Sequence, residues 1–182
     1  MTEVAILVLC LIAISLHMPI AAQVMILLIA LILVLPGAYA TMRGAPFVPT
    51  TRLILQAMMR LADVQQGEKV YDLGCGDGRL VFAAARAGAH AVGYELSVPV
   101  FVWAKLRSLL HPKSRIAFKN FWKQDYRDAD VVFCFLLVST MQTFHEIVWP
   151  QLKPGCRVVS HAFAMKDVQI VRQEGNALLY VK

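Results

Sequence analysis

Apolar positions along this chain fall into two regimes. Residues 4–40 contain no Asp, Glu, Lys or Arg, and only His17 and Gln23 interrupt as strongly polar side chains. Such a run predicts helix, and if helical throughout it would reach about 55 Å at about 1.5 Å per residue, beyond the ~30 Å hydrocarbon core of a bilayer. The pattern predicts one membrane span over residues 20–40. Residues 4–16 either extend it or, through a turn at His17-Met18-Pro19, form a second arm. After residue 43 the run breaks into short segments. Leu53, Ile54, Met58, Leu61 and Ala62 recur at helical spacing behind a Gly/Pro linker, predicting a helix over residues 51–64 capped by Thr50 or Thr51. Strand-type runs follow at residues 70–73, 90–95, 115–119, 131–137 and 156–161, with helical stretches at 79–86, 97–110 and 139–152. Ser139-Thr140-Met141-Gln142 has capping-box form for the last of these. Two short strands, near residues 168–172 and 177–181, close the chain. Strands alternating with helices predict an α/β fold with a mainly parallel sheet, preceded by an amino-terminal transmembrane helical segment. The expected organisation is an anchor over residues 1–42, a linker and packing helix over 43–66, and an α/β domain over 67–182.

Charge sharpens the division. All 18 Lys and Arg lie at or beyond Arg43, with 11 of the 12 acids, so the later part carries +7. Arg43 and Arg52 close behind the apolar run place that part on the cytoplasmic side by the positive-inside rule. A membrane-anchored protein facing the cytoplasm is therefore expected, in the inner membrane if the source is bacterial. Ala38-Tyr39-Ala40 has the form of a signal cleavage site, but no basic region precedes a run that is too long for a signal peptide. Lys105, Arg107, Lys113, Arg115, Lys119 and Lys123 lie in a stretch without acids. They read either as a solvated face or as attraction to the anionic headgroups of a lipid bilayer. Nucleic acid is not an expected partner. The four cysteines show no metal spacing and read as free thiols, so no metal site is expected.

The candidate chemistry centres on Val70-Tyr71-Asp72-Leu73-Gly74-Cys75-Gly76-Asp77-Gly78-Arg79. A strand passes into alternate glycines and then a helix, which exposes unpaired N–H groups and admits a ligand close to the backbone. A dinucleotide fingerprint has the form G-x-G-x-x-G. Here the spacing is Asp72-x-Gly74-x-Gly76-x-Gly78, with Arg79 where the third dinucleotide glycine would stand. An acid ahead of the first glycine suits a ligand ammonium better than a pyrophosphate. This stretch resembles motif I of the class I S-adenosylmethionine-dependent methyltransferases, which implies that the cofactor's methionine end lies against the loop. Asp72 is then expected to orient that end, with Gly74, Gly76 and Gly78 giving backbone access. Glu95, ending the second strand, can accept hydrogen bonds from both ribose hydroxyls. Asn120, Phe121 and Trp122 follow the third strand, where the family usually places adenine contacts, although an aromatic pair there is equally a core feature. Asp125, Asp128 and Asp130 read as a solvated turn rather than an acid/base pair.

Pro46-Phe47-Val48-Pro49-Thr50, the glycine stretch and Arg157-Val158-Val159-Ser160-His161-Ala162-Phe163 recur in order. Together they resemble a small family of membrane-anchored methyltransferases. Its mitochondrial members are protein-lysine methyltransferases acting on the ATP synthase c-subunit and the adenine nucleotide translocase. The resemblance implies a membrane-protein substrate and makes Thr50 part of a lid over the methionine end rather than only a helix cap. His161 becomes a candidate for substrate positioning or proton removal, against the alternative of a structural histidine at a strand end. Where the family's pattern continues to a tryptophan after an acid, Asp167 is here followed by Val168. A methyltransferase for a lipid, quinone or other small molecule, and a non-catalytic cofactor-binding module, stay open beside the lysine reading.

Overall fold

In the computed structural model residues 18–43 and 50–182 are described, except for the side chains of residues 33–43. The chain divides into two compact units, Met1–Leu35 and Pro36–Lys182. Helix α1 runs over Ile20–Arg43. Among the described residues no helix is long and apolar enough to cross a membrane. The expected transmembrane segment over residues 20–40 is thereby overturned, and with it the membrane-anchored, cytoplasm-facing localisation. The first arm, residues 4–16, and the linker over residues 44–49 lie outside the described residues.

The second unit is a seven-stranded sheet: β1 (Lys69–Leu73), β2 (His90–Glu95), β3 (Ser114–Phe118), β4 (Val131–Cys134), β5 (Arg157–His161), β6 (Arg172–Glu174) and β7 (Ala177–Val181). The order is β3-β2-β1-β4-β5-β7-β6. The first five strands of that order pair parallel, and β7 and β6 antiparallel, so the sheet is mixed. Helices α2 (Arg52–Ala62), α3 (Arg79–Arg86), α4 (Val98–Ser108) and α5 (Val138–Ile147) connect or flank the strands.

Alternation along β4 explains the layering. Val131 and Phe133 join Met58, Leu61, Val81, Phe82 and Ile116 in one core. Val132 and Cys134 join Leu73, Tyr94, Tyr126, Met141 and Phe144 in the other. Successive strand side chains point to opposite faces, so an all-apolar strand must be covered on both. The expected capping box does not form: the N-cap of α5 is Leu137, and Ser139 falls inside the first turn. Pro150 sits in a 3-10 turn over Trp149–Gln151 beyond the end of α5, consistent with its missing N–H. Strand β6 lies farther along the chain than the periodicity suggested.

Asp128 and Asp130 stand at the start of β4, remote from the carboxyl ends of the strands. Asp128 accepts from Lys69 Nζ at 2.6 Å and from Tyr71 Oη at 2.9 Å. Asp130 pairs with Lys153 and accepts from the Lys69 amide at 2.8 Å. These acids fasten β1 and β4 together. The two strands are sheet neighbours, yet the helix after β1 leads to β2 and the helix after β4 leads to β5. A crevice outside the carboxyl ends at such a switch is where ligands of open α/β sheets bind.

Candidate active site

Strand β1 delivers Asp72 and Leu73 to the crevice and then turns sharply. Gly74, Gly76 and Gly78 have φ of 78°, 55° and 81°, a left-handed backbone that a side chain disfavours. The amides of Gly74 and Cys75 donate to the carbonyl of Tyr94 at 3.1 and 2.9 Å, clamping the loop to the end of β2. One oxygen of Glu95 accepts from the Gly76 amide at 3.0 Å; the other accepts from Leu96 and Ser97 at 2.8 and 2.7 Å. Glu95 thus knits the middle of the loop to the turn after β2. Nothing lies within 4 Å of the place a Cβ on Gly74 would take, so a ligand has open backbone to approach there.

Asp72 is only 4% exposed. Burial first, then the neighbouring Glu95 and Asp77 carboxylates, push its carboxyl up to about 8. A buried acid beside two others favours a bound proton or a bound cation, and a ligand ammonium would serve. Asp77 is different. Burial opposes its charge, but hydrogen bonding and attraction from Arg79, together with the charge of Arg107, hold it below the usual carboxylate range. Arg79 and Arg107 pair with it at 2.7 and 3.0 Å. Arg79 also donates to the carbonyl of Thr50, which ties the segment ahead of α2 to the glycine loop.

Asn120, Phe121 and Trp122 stand just past β3, whose Phe118 is in register with Glu95. The Asn120 side chain accepts from the Trp122 amide at 2.9 Å, closing a 3-10 turn over Phe121–Lys123. Phe121 is buried in the core with Tyr94 and Tyr126, while Trp122 packs against that core from a partly exposed position. His161 ends β5, on the far side of β4 from the glycine loop. It is 7% exposed, its Nδ1 has no hydrogen-bond partner, and the Phe135 ring meets it edge-on at 4.6 Å. Burial lowers its pKa, outweighing the opposite effect of the Asn176 backbone, which favours the neutral imidazole. The fold therefore unites Asp72, the three glycines, Glu95 and Thr50 in one hydrogen-bonded and electrostatic cluster. Asn120–Trp122 and His161 stand outside that cluster, at the same edge of the sheet.

Two participants escaped the sequence reading. Arg107 meets Asp77 from 30 positions away, with no local signal. Gly93 is the other. A Cβ there would come within 2.6 Å of Cys75 Sγ and 2.7 Å of Val81 Cγ2, so its lack of a side chain lets loop and α3 close on β2.

A family model described as the ANTKMT methyltransferase domain matches residues 72–172. The chain belongs to that family. It is similar to a protein-lysine N-methyltransferase of Saccharolobus islandicus, 36% identical over 66% of this chain and 78% of that one. It is also similar to the ATP synthase c-subunit lysine N-methyltransferase of Rattus norvegicus, 33% identical over 65% of this chain. Of that rat relative the chain spans only 56%. Among solved structures, an RNA methyltransferase of Salinibacter ruber in complex with S-adenosyl-L-homocysteine superposes with a TM-score of 0.67. It is 34% identical and covers 74% of this chain and 92% of its own. The ANTKMT-family chain is thus an S-adenosylmethionine-dependent methyltransferase with a class I Rossmann-like fold. Its residues fit the cofactor, because Asp72 is a buried acid raised by burial and by Glu95 and Asp77, a setting that a ligand ammonium would relieve, and the Gly74 backbone is open to close approach.

Proposed function

We propose that this chain methylates a lysine side chain of a protein, with a membrane protein as acceptor. The observation that carries the lysine reading is the similarity to the Saccharolobus protein-lysine N-methyltransferase, of which the chain covers more than two thirds. The membrane-protein acceptor follows relatives named for the ATP synthase c-subunit and the adenine nucleotide translocase. Bound at the glycine loop, S-adenosylmethionine supplies a methyl group activated by its sulfonium. Asp72 would hold the methionine ammonium, and the open backbone at Gly74 would leave room for the rest of that end. Glu95, whose oxygens accept from the Gly76, Leu96 and Ser97 amides, would hold the ribose hydroxyls. Thr50, held by Arg79, would cover the methionine end, and Asn120, Phe121 and Trp122 would be the residues that meet the adenine. Transfer then needs an uncharged amine in line with the methyl group, so most of the rate comes from positioning. His161, whose burial favours the neutral imidazole and whose buried Nδ1 has no hydrogen-bond partner, is the candidate to position the amine or accept its proton.

The test is to incubate the protein with methyl-labelled cofactor and its native cell extract. Label recovered as methyl-lysine after protein hydrolysis supports the reading. Label found instead in RNA, as the name of the Salinibacter relative would lead one to expect, or in the lipid phase, overturns it.

A further inference from the structure

Beside the cofactor loop, and sharing Asp77 with it, lies a pocket of about 510 Å³ lined by Thr50, Arg52, Leu55, Gln56, Asp77, Arg79, Phe82, Arg86 and Arg107. We infer that this pocket is a second ligand site, one that binds a small phosphorylated anion carrying at least two negative charges.

Four guanidinium groups face one carboxylate. Arg79 and Arg107 share Asp77; Arg52 and Arg86 have no ion pair among the described residues. The lining therefore carries an excess positive charge of three, more than a single carboxylate ligand would balance. The volume falls in the range of small-molecule sites, and planar guanidinium groups match phosphate oxygens two at a time. The field is felt nearby. His111 stacks on Phe82 with ring centres 4.6 Å apart, and its pKa is lowered by burial first and then by Arg86 and Arg107. Arg107 also stands over the Phe82 ring at 5.2 Å, giving the pocket a floor that keeps its guanidinium in place.

This site adjoins the methionine-end cluster without coinciding with it. Arg79, Phe82 and Arg86 mark one face of α3 from its first residue to its last, about 10 Å at 1.5 Å per residue. None of Asp72, Gly74, Gly76 or Glu95 lines the pocket. Thr50 and Asp77 are shared between the two, both bonded by Arg79.

Calorimetric titration of the full chain with inorganic pyrophosphate tests the inference, alongside sedimentation with phosphatidic-acid vesicles and with plain phosphatidylcholine vesicles. Arg52 and Arg86 are exposed, so Arg52→Ala and Arg86→Ala should fold, and S-adenosylmethionine affinity serves as the check. Pyrophosphate binding that weakens about tenfold or more in each variant, with cofactor affinity kept, supports a free phosphorylated ligand. The same loss confined to phosphatidic-acid vesicles supports a lipid-borne phosphate. Absence of binding in both arms, binding unchanged in both variants, or a parallel loss of cofactor affinity, which would make the pocket part of the cofactor site, overturns the inference.

Discussion

Asp72 shows how one burial decides a chemistry. Its carboxyl rises from the ordinary 3.8 to about 8, so the folded chain holds a proton that the unfolded chain releases near pH 4. The sign follows: this contribution to stability is full below about pH 4 and is lost as pH rises through about 8. Without cofactor, the melting temperature of the wild type should fall between about pH 5 and pH 8 more steeply than that of Asp72→Asn, by calorimetry at matched ionic strength. Parallel profiles for the two proteins would remove the assignment. At the other side of the crevice, His161→Ala should lower kcat by about 100-fold, the usual scale for a lost proton acceptor. It should leave the dissociation constant of S-adenosylmethionine unchanged. A kcat within about twofold of wild type would return His161 to a structural role beside Phe135.

Among the elements, the unit of β1, glycine turn and α3 is held by contacts with β2 as much as by its own turn. Gly93 is where this closeness is most exacting. Gly93→Ala should destabilise the protein by about 1–3 kcal/mol, as overpacking does, since its methyl would press on Cys75 and Val81. Urea unfolding measures this; a loss under about 0.5 kcal/mol would mean that the loop yields. The turn itself was legible in the chain, because alternate glycines around one acid specify a left-handed backbone locally. The capping box was not. Ser139-Thr140-Met141-Gln142 has the right letters, but α5 begins earlier, at Val138, directly after the Phe135-Leu136-Leu137 stretch that follows β4. Local propensity gave way there to the path of a buried strand.

For the molecule entire, the sheet, both cores and the glycine loop lie within Pro36–Lys182. Removing residues 1–35 should therefore leave S-adenosylmethionine affinity within about twofold, since a compact unit with its own core can fold alone. Loss of more than about tenfold on calorimetry would show that the first unit supports the site. The same division bears on the long apolar run. Hydropathy alone made it a span, whereas among the described residues no helix is long and apolar enough for one. Composition announces burial in something apolar without specifying what.

Strand and helix periods, the left-handed glycines and the acid at the end of β2 could all be read from the chain, because each depends on neighbours a few positions away. The partners of the charged groups could not. Asp77 with Arg107, and Asp128 with Lys69 and Tyr71, meet across 30, 59 and 57 positions. Those meetings, and the close fit of Gly93 against Cys75, exist only once strand order brings β1 between β2 and β4. Charge pairing and packing act through space over a few ångströms, and a sequence pattern records distance along the chain alone.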